Sequence, residues 1–361
     1  MMVPYDGPLE WLAGRTILLA RHGSHAYGTS TPQSDIDLKG VAIAPAAIYH
    51  GFAQRFEQAT TREPYDLTIF EVQKFFRLAA DSNPGIVEVL WAEADDYPHL
   101  TPPGERLLEH RADFLSRKVR YTFSGYALSQ LKRIRSHRRW LLDPPTGPPS
   151  RAEHGLPERT IIPKDQLAAA ESAVRKKLDQ WNLDLSGLEP SDRGHLLESW
   201  AQMLAEMSLA SDEQWRAAAR TVGYDDNFIE ILERERRYNN LRQNWRQYSQ
   251  WKKLRNEARA QLEADFGYDT KHAMHLVRLM RMCREMLTTG QVLVRRPDAE
   301  ELLAIRRGAW SYDQLIDWAD GEQAALEELT AASPLPPAPD REALDQLCEE
   351  LVEEGLRTLP G

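Results

Sequence analysis

Apolar residues run unbroken from Ile17 to Ala20, behind Thr16. Two later stretches then alternate polar and apolar positions, Asp35-Ile36-Asp37-Leu38 and Tyr65-Asp66-Leu67-Thr68-Ile69-Phe70. The unbroken run predicts a strand at 16–20, and a period of two, which belongs to a half-buried strand, predicts strands at 36–43 and 65–70. The period then lengthens. Val72, Phe75, Phe76 and Ala79 fall at helical spacing within 71–80, and a second short helix is expected at 85–91, after the turn Asp81-Ser82-Asn83-Pro84. Beyond Leu107 only helical spacing remains. Helices are predicted at 115–142, 165–181, 193–209, 211–220, 226–264, 270–288 and 311–328, with the loop Asp143–Ser150 breaking the first from the rest. The Pro-rich stretch Ala332–Pro339 reads as a linker, and the acidic segment 341–357 as a tail that could form a helix. The expected class is α+β: a small mixed sheet with helices, then a larger all-helical domain. The expected boundaries are 1–106, 107–330 and 331–361.

Composition narrows the functional classes. A 361-residue chain with 42% apolar and 28% charged residues has enough core for two globular domains. Its longest apolar runs fall well short of the ~20 residues that span a bilayer, and Met1–Glu10 lacks a basic leader pattern, so a cytoplasmic protein is expected. Two distant cysteines, Cys283 and Cys348, suggest neither a disulfide framework nor a thiolate metal site.

The candidate chemistry lies between Gly23 and Asp37. Gly23-Ser24 follows the first apolar run and offers a place where backbone can approach a phosphate closely. Asp35 and Asp37, two apart in a strand, would project from one face about 6.6 Å apart, with Ile36 and Leu38 turned to the core. Such carboxylates suit a pair of Mg²⁺ (or Mn²⁺) ions, which take oxygen ligands. A third carboxylate is expected. Asp66 lies off the apolar side of its strand and is the best choice, ahead of Glu57, Glu63 and Glu71, the last placed where it would serve a helix N-terminus.

Charge distribution adds two further regions. The net charge is −10, yet Phe114–Leu142 contains eight basic residues and no acidic one, leaving −18 on the remainder. Arg135, Arg138 and Arg139 are the candidate RNA contacts there, with Tyr121, Phe123, Tyr126 and Trp140 either stacking bases or filling core. A second basic stretch, Arg234–Arg255, is interleaved with Tyr238, Trp245, Tyr248 and Trp251 and partly offset by Glu233, Glu235 and Glu257. On the 270–288 helix, Lys271, His275 and Arg278 recur at i, i+4 and i+7. They form a stripe about 10.5 Å long that suits a triphosphate or an RNA backbone, unless it is simply a solvated face.

The arrangement Gly-Ser, fixed gap, Asp-Ile-Asp-Leu resembles the signature of the DNA polymerase β-like nucleotidyltransferase superfamily, with His22 standing where that pattern tends to be apolar. Several segments together resemble its RNA-repair-associated (RlaP/YcgL-like) branch. They are Gly23–Gly28, Ser34–Val41, Asn83–Glu88, Gly125–Gln130, His137–Leu141, Gly267–Arg278 and Arg296–Asp298. The resemblance spans residues 15–320. It implies NTP-dependent, two-metal nucleotidyl transfer with Asp35, Asp37 and Asp66 as metal ligands and Gly23-Ser24 at the triphosphate. It also implies association with RNA ligase and end-healing enzymes, hence an RNA 3′ end as acceptor. Lys39, Lys271, His275 and Arg278 are then candidate phosphate contacts. Two alternatives stay open: the same chemistry on a small-molecule or protein acceptor, and a non-catalytic nucleotide- or RNA-binding module.

Overall fold

The computed structural model describes residues 3–63, 65–160, 165–166, 168–170, 172–173, 216, 219–255 and 257–360. The predicted helix at 193–209 lies outside the described residues, and those at 165–181 and 211–220 lie mostly outside them.

Five strands form one mixed sheet: β1 (Thr16–His22), β2 (Asp37–Ala42), β3 (Gln58–Thr61), β4 (Asp66–Glu71) and β5 (His99–Leu100), in the order β3-β4-β2-β1-β5. β1 runs antiparallel to β2 and β5, β3 antiparallel to β4, and the central β2–β4 pair is parallel. Strand alternation sorts the side chains into two layers. Ala20, Val41, Ile43 and Phe70 meet helices α4 (Val72–Ala80), α5 (Pro84–Leu90) and α6 (Pro102–Glu109) through Phe75, Phe76, Val89, Leu90 and Leu107. Leu19, Leu38, Ala42, Leu67 and Ile69 face the other way, under Val3, Leu12, Trp11 and Phe56.

β2 starts at Asp37, one residue later than the spacing predicts. Asp35 and Ile36 precede it in irregular chain, and Ile36 is 39% exposed instead of joining the core. The core ends before Ile36 because Asp37 already stands at the open rim of the sheet, where strand pairing with β1 and β4 begins.

The sheet is followed by helices: α7 (Val119–Leu142), α8 (Asp226–Leu254), α9 (Glu257–Phe266), α10 (Thr270–Thr289), α11 (Ala299–Arg306), α12 (Tyr312–Ala332) and α13 (Arg341–Thr358). The expected 226–264 helix is two, because Arg255 turns to extended backbone between them. α10 begins at the Asp269 cap, whose Oδ1 accepts the His272 N–H at 3.0 Å, and stops at Gly290, in the left-handed region at φ 69°.

The chain divides into two compact units, 1–134 with 268–361, and 135–267. This differs from the expected division, since both the C-terminal helices and the acidic segment belong to the unit that holds the sheet. The physical reason for the last is in α13: Leu344, Leu347, Cys348 and Leu351 form a buried stripe in the same cluster as Phe76 and Val41. Its C-terminus is held by Arg15, buried with no carboxylate partner among the described residues. Arg15 donates instead to the carbonyls of Ile43 (2.7 Å), Ala44 (3.2 Å), Gly355 (3.1 Å) and Pro360 (2.6 Å). A cation at the carbonyl end of a helix is favoured by the dipole and by the orphan acceptors there.

The second unit contains α8, α9 and the end of α7, gathered around the rings of His137, Trp140, Tyr248 and Trp251, with neighbouring centroids 5.3–5.9 Å apart. Trp140 donates its indole N–H to Asn244 Oδ1 at 2.9 Å. Among the described residues no helix is long and apolar enough to cross a membrane.

Candidate active site

Strand register brings the acidic residues together. His22, Asp37 and Asp66 sit side by side on β1, β2 and β4, with Asp37 paired to both neighbours. Adjacent strands are about 4.8 Å apart, so the Asp37 and Asp66 carboxylates leave the same face of a parallel pair within reach of one ion. Asp35 is exposed just ahead of β2, and its charge acts on Asp37. Burial, then the Asp35 and Asp66 charges, raise the Asp37 carboxyl above its ordinary value, against the opposing pull of Lys39 and Lys271. The Asp35 and Asp66 charges both bear on Asp37, and these three carboxylates would offer an oxygen-only donor set of the kind Mg²⁺ or Mn²⁺ takes.

The other carboxylates considered stand elsewhere. Glu71 is five residues along β4 from Asp66, about 16 Å away. There it caps α4 by accepting the Lys74 N–H at 2.9 Å and also accepts the Tyr49 hydroxyl at 2.8 Å. Glu57 pairs with Lys74 at 2.9 Å, and Glu63 is exposed.

Gly23 shapes the rim. Its φ is 68°, and a Cβ there would lie 2.0 Å from Asp37 Oδ2, so glycine is required by both backbone and contact. It opens the short helix α2 (Gly23–Tyr27), in which the Ser24 carbonyl accepts the Thr29 N–H at 2.9 Å. That bend closes at Gly28, also left-handed at φ 74°.

Behind the carboxylates lies a buried ionic network. Glu88, 2% exposed on α5, accepts from Arg278 Nη1 at 2.5 Å through Oε1 and from the Tyr27 hydroxyl at 2.5 Å through Oε2. His22 Nε2 is 3.0 Å from the same Oε2, and the Arg278 guanidinium lies 3.8 Å over the Tyr27 ring. Although burial alone would push Glu88 up, Arg278 and His22 hold it well below the usual carboxylate range. Lys39, half-buried, donates to the Gly85 carbonyl at 3.0 Å and sits 3.3 Å from His22 Nε2. Burial lowers Lys39 from its ordinary value, against the pull of Glu88 and Asp37.

Each predicted site residue now has a place. Asp35, Asp37, Asp66, Lys39 and Lys271 share one electrostatic neighbourhood, with Gly23 in contact with Asp37. Arg278, expected to face a phosphate, instead turns inward to Glu88 and is 5% exposed. Burial, with the Arg278 and Lys271 charges, pushes His275 down to about 3, so it is neutral at pH 7. His22, Tyr27 and Glu88 were not among the predicted site residues. Glu88 carries the usable signal: one carboxylate inside Ile86-Val87-Glu88-Val89-Leu90 must be buried and therefore paired.

The basic run of α7 splits by role. Arg117 donates to the Leu335 and Ser333 carbonyls at 2.9 and 3.1 Å, and Arg120 to Ser124 Oγ at 2.7 Å and to Glu327 at 3.1 Å. Phe123 and Trp140 are core, whereas Tyr126 is 49% exposed. Arg135, Arg138 and Arg139 belong to the second unit. Arg135 and Arg139 are exposed, Arg139 donating to Asn244 Oδ1 at 2.7 Å, while Arg138 is half-buried and donates to the Gly267 carbonyl at 3.1 Å. On α8, Glu233 and Glu235 are taken up by Arg216 and Arg151, and Arg242, Arg246 and Lys253 stand exposed along the same helix.

Residues 9–141 match the family described as "RlaP: RNA repair pathway DNA polymerase beta family". The chain is also 32% identical over 85 residues to an uncharacterized 38.9 kDa protein in the nrdC-mobD intergenic region of Enterobacteria phage T4. That stretch is 21% of this chain and a quarter of the phage protein's length. No solved structure matches. The segment that matches the RNA repair pathway DNA polymerase beta family, residues 9–141, is the one that carries β1, β2, β4 and their acidic rim.

Proposed function

We propose that the protein is a divalent-metal-dependent nucleotidyltransferase that moves NMP from an NTP to a hydroxyl, most naturally an RNA 3′ end under repair. The observation that carries this reading is the register of Asp37 with Asp66 across a parallel strand pair, with the Asp35 charge beside them. Asp35 and Asp37 would hold both ions, and Asp66 one of them. When bound, Mg²⁺ (or Mn²⁺) would offset charge on the α-phosphate and acidify the attacking hydroxyl.

The chain's own groups do the rest. Gly23 and Ser24 would receive the β- and γ-phosphates, since Gly23 leaves no side chain between the bend and Asp37. Lys271 and Lys39 would bias the rim toward anions. Positioning for in-line displacement and electrostatic stabilisation then account for most of the rate. Arg135, Arg138 and Arg139 would contact the acceptor's phosphates. RNA ligase and end-healing enzymes are the expected partners in such a pathway.

The test is incubation with Mg²⁺, each labelled NTP in turn and a pool of RNA ends. Wild type should extend RNA and release pyrophosphate, and Asp35→Ala/Asp37→Ala should not. Retained activity in that double variant would refute the assignment. Label transfer to a small molecule or protein, with acceptor binding indifferent to salt, would replace RNA as the acceptor.

A further inference from the structure

The rim of the site is assembled from segments far apart in sequence, and one side chain ties them together. Glu88 receives Arg278 from α10, Tyr27 from α2 and approaches His22 on β1, so one carboxylate ties three elements together beside Asp37. Replacement of a buried ion pair by apolar residues is often tolerated or even stabilising, so stability alone does not require this one. Its placement explains it better. Lys271 and Arg278 are seven residues apart on α10, nearly two turns, hence on one face and about 10.5 Å apart along the axis. Arg278 is anchored at Glu88, and the Lys271 charge acts at Asp37.

We propose that Glu88 is a positioning residue: by holding Arg278 it sets α10 so that Lys271 meets the triphosphate of an NTP bound at Asp37. The proposal rests on the nucleotidyl-transfer reading. Glu88 itself touches neither metal nor nucleotide, and acts through the helix.

The test is a double-mutant cycle on binding of α,β-methylene NTPs with Mg²⁺, measured by titration calorimetry without turnover. Lys271→Ala should weaken binding about tenfold, the worth of one charge-assisted hydrogen bond. Glu88→Gln should weaken it similarly, and the double variant should bind no more weakly than either alone, because both remove the same interaction. Glu88→Gln/Arg278→Met, which removes both charges together, guards against misfolding and should bind as weakly as Glu88→Gln. Unchanged affinity in a folded Glu88 variant, or strictly additive effects, overturns the positioning role. If wild type binds none of the four analogues, the nucleotidyl-transfer reading fails instead.

Discussion

Gly23→Ala isolates the part of the site that depends on an absent side chain. The new Cβ would stand 2.0 Å from Asp37 Oδ2, so one of them must retreat by about 1.4 Å to reach an ordinary 3.4 Å contact. Catalytic constellations tolerate about 0.5 Å, and a 1 Å misplacement costs about a hundredfold in rate. A left-handed alanine adds about 1–2 kcal/mol of backbone strain. Gly28→Ala is the control, because Gly28 is also left-handed but its Cβ would meet only Ala299 Cβ at 3.7 Å. Urea unfolding should therefore show both variants destabilised by about 1–2 kcal/mol. Only Gly23→Ala should slow Mg²⁺-dependent NMP transfer by about a hundredfold, with weaker Mn²⁺ binding. Equal rates for the two alanine variants, or intact Mn²⁺ affinity in Gly23→Ala, would refute the claim that Asp37 is placed against this bend.

Three further outcomes are expected. Arg135→Ala/Arg138→Ala/Arg139→Ala should flatten the salt dependence of single-stranded RNA affinity, by about 0.7 in log K per log salt for each phosphate no longer neutralised; an unaltered slope would show these arginines serve another end. Deleting residues 341–361 removes the burial of Leu344, Leu347 and Leu351, on the order of 6 kcal/mol and comparable with a whole domain's stability. Cooperative unfolding should disappear, and a truncated chain with the wild-type Tm would contradict the core role of α13. Finally, below about pH 6.5 the unfolded chain protonates His275 while the folded chain, in which burial and then the Arg278, Lys271 and His272 charges outweigh Glu88, resists until about pH 3. Stability should thus fall as pH falls, with His275→Gln removing up to about 1.4 kcal/mol per pH unit from that slope; parallel wild-type and variant curves would exclude the assignment.

Much of the fold is local enough to be legible. An unbroken apolar run marks β1, period-two runs mark β2 and β4, and helical spacing marks α10, because strands and helices follow from local spacing. The short pieces were not legible. β3 has four residues and β5 two, and they exist only because β4 and β1 present edges to pair with.

The same division runs through the site. The chain by itself determines that Asp35 and Asp37 are near each other and that Gly23 precedes them, since adjacency along a backbone needs no fold. Tertiary structure decides the rest. Parallel register places Asp66 at Asp37, and burial converts Arg278 from an apparent surface cation into the partner of Glu88. It also makes the acidic segment 341–358 a core helix, its leucine stripe outweighing a composition that reads as a tail. Charge sequence cannot reveal which ions lose their water. That depends on which faces of the chain meet, and desolvation then forces the pairs that form.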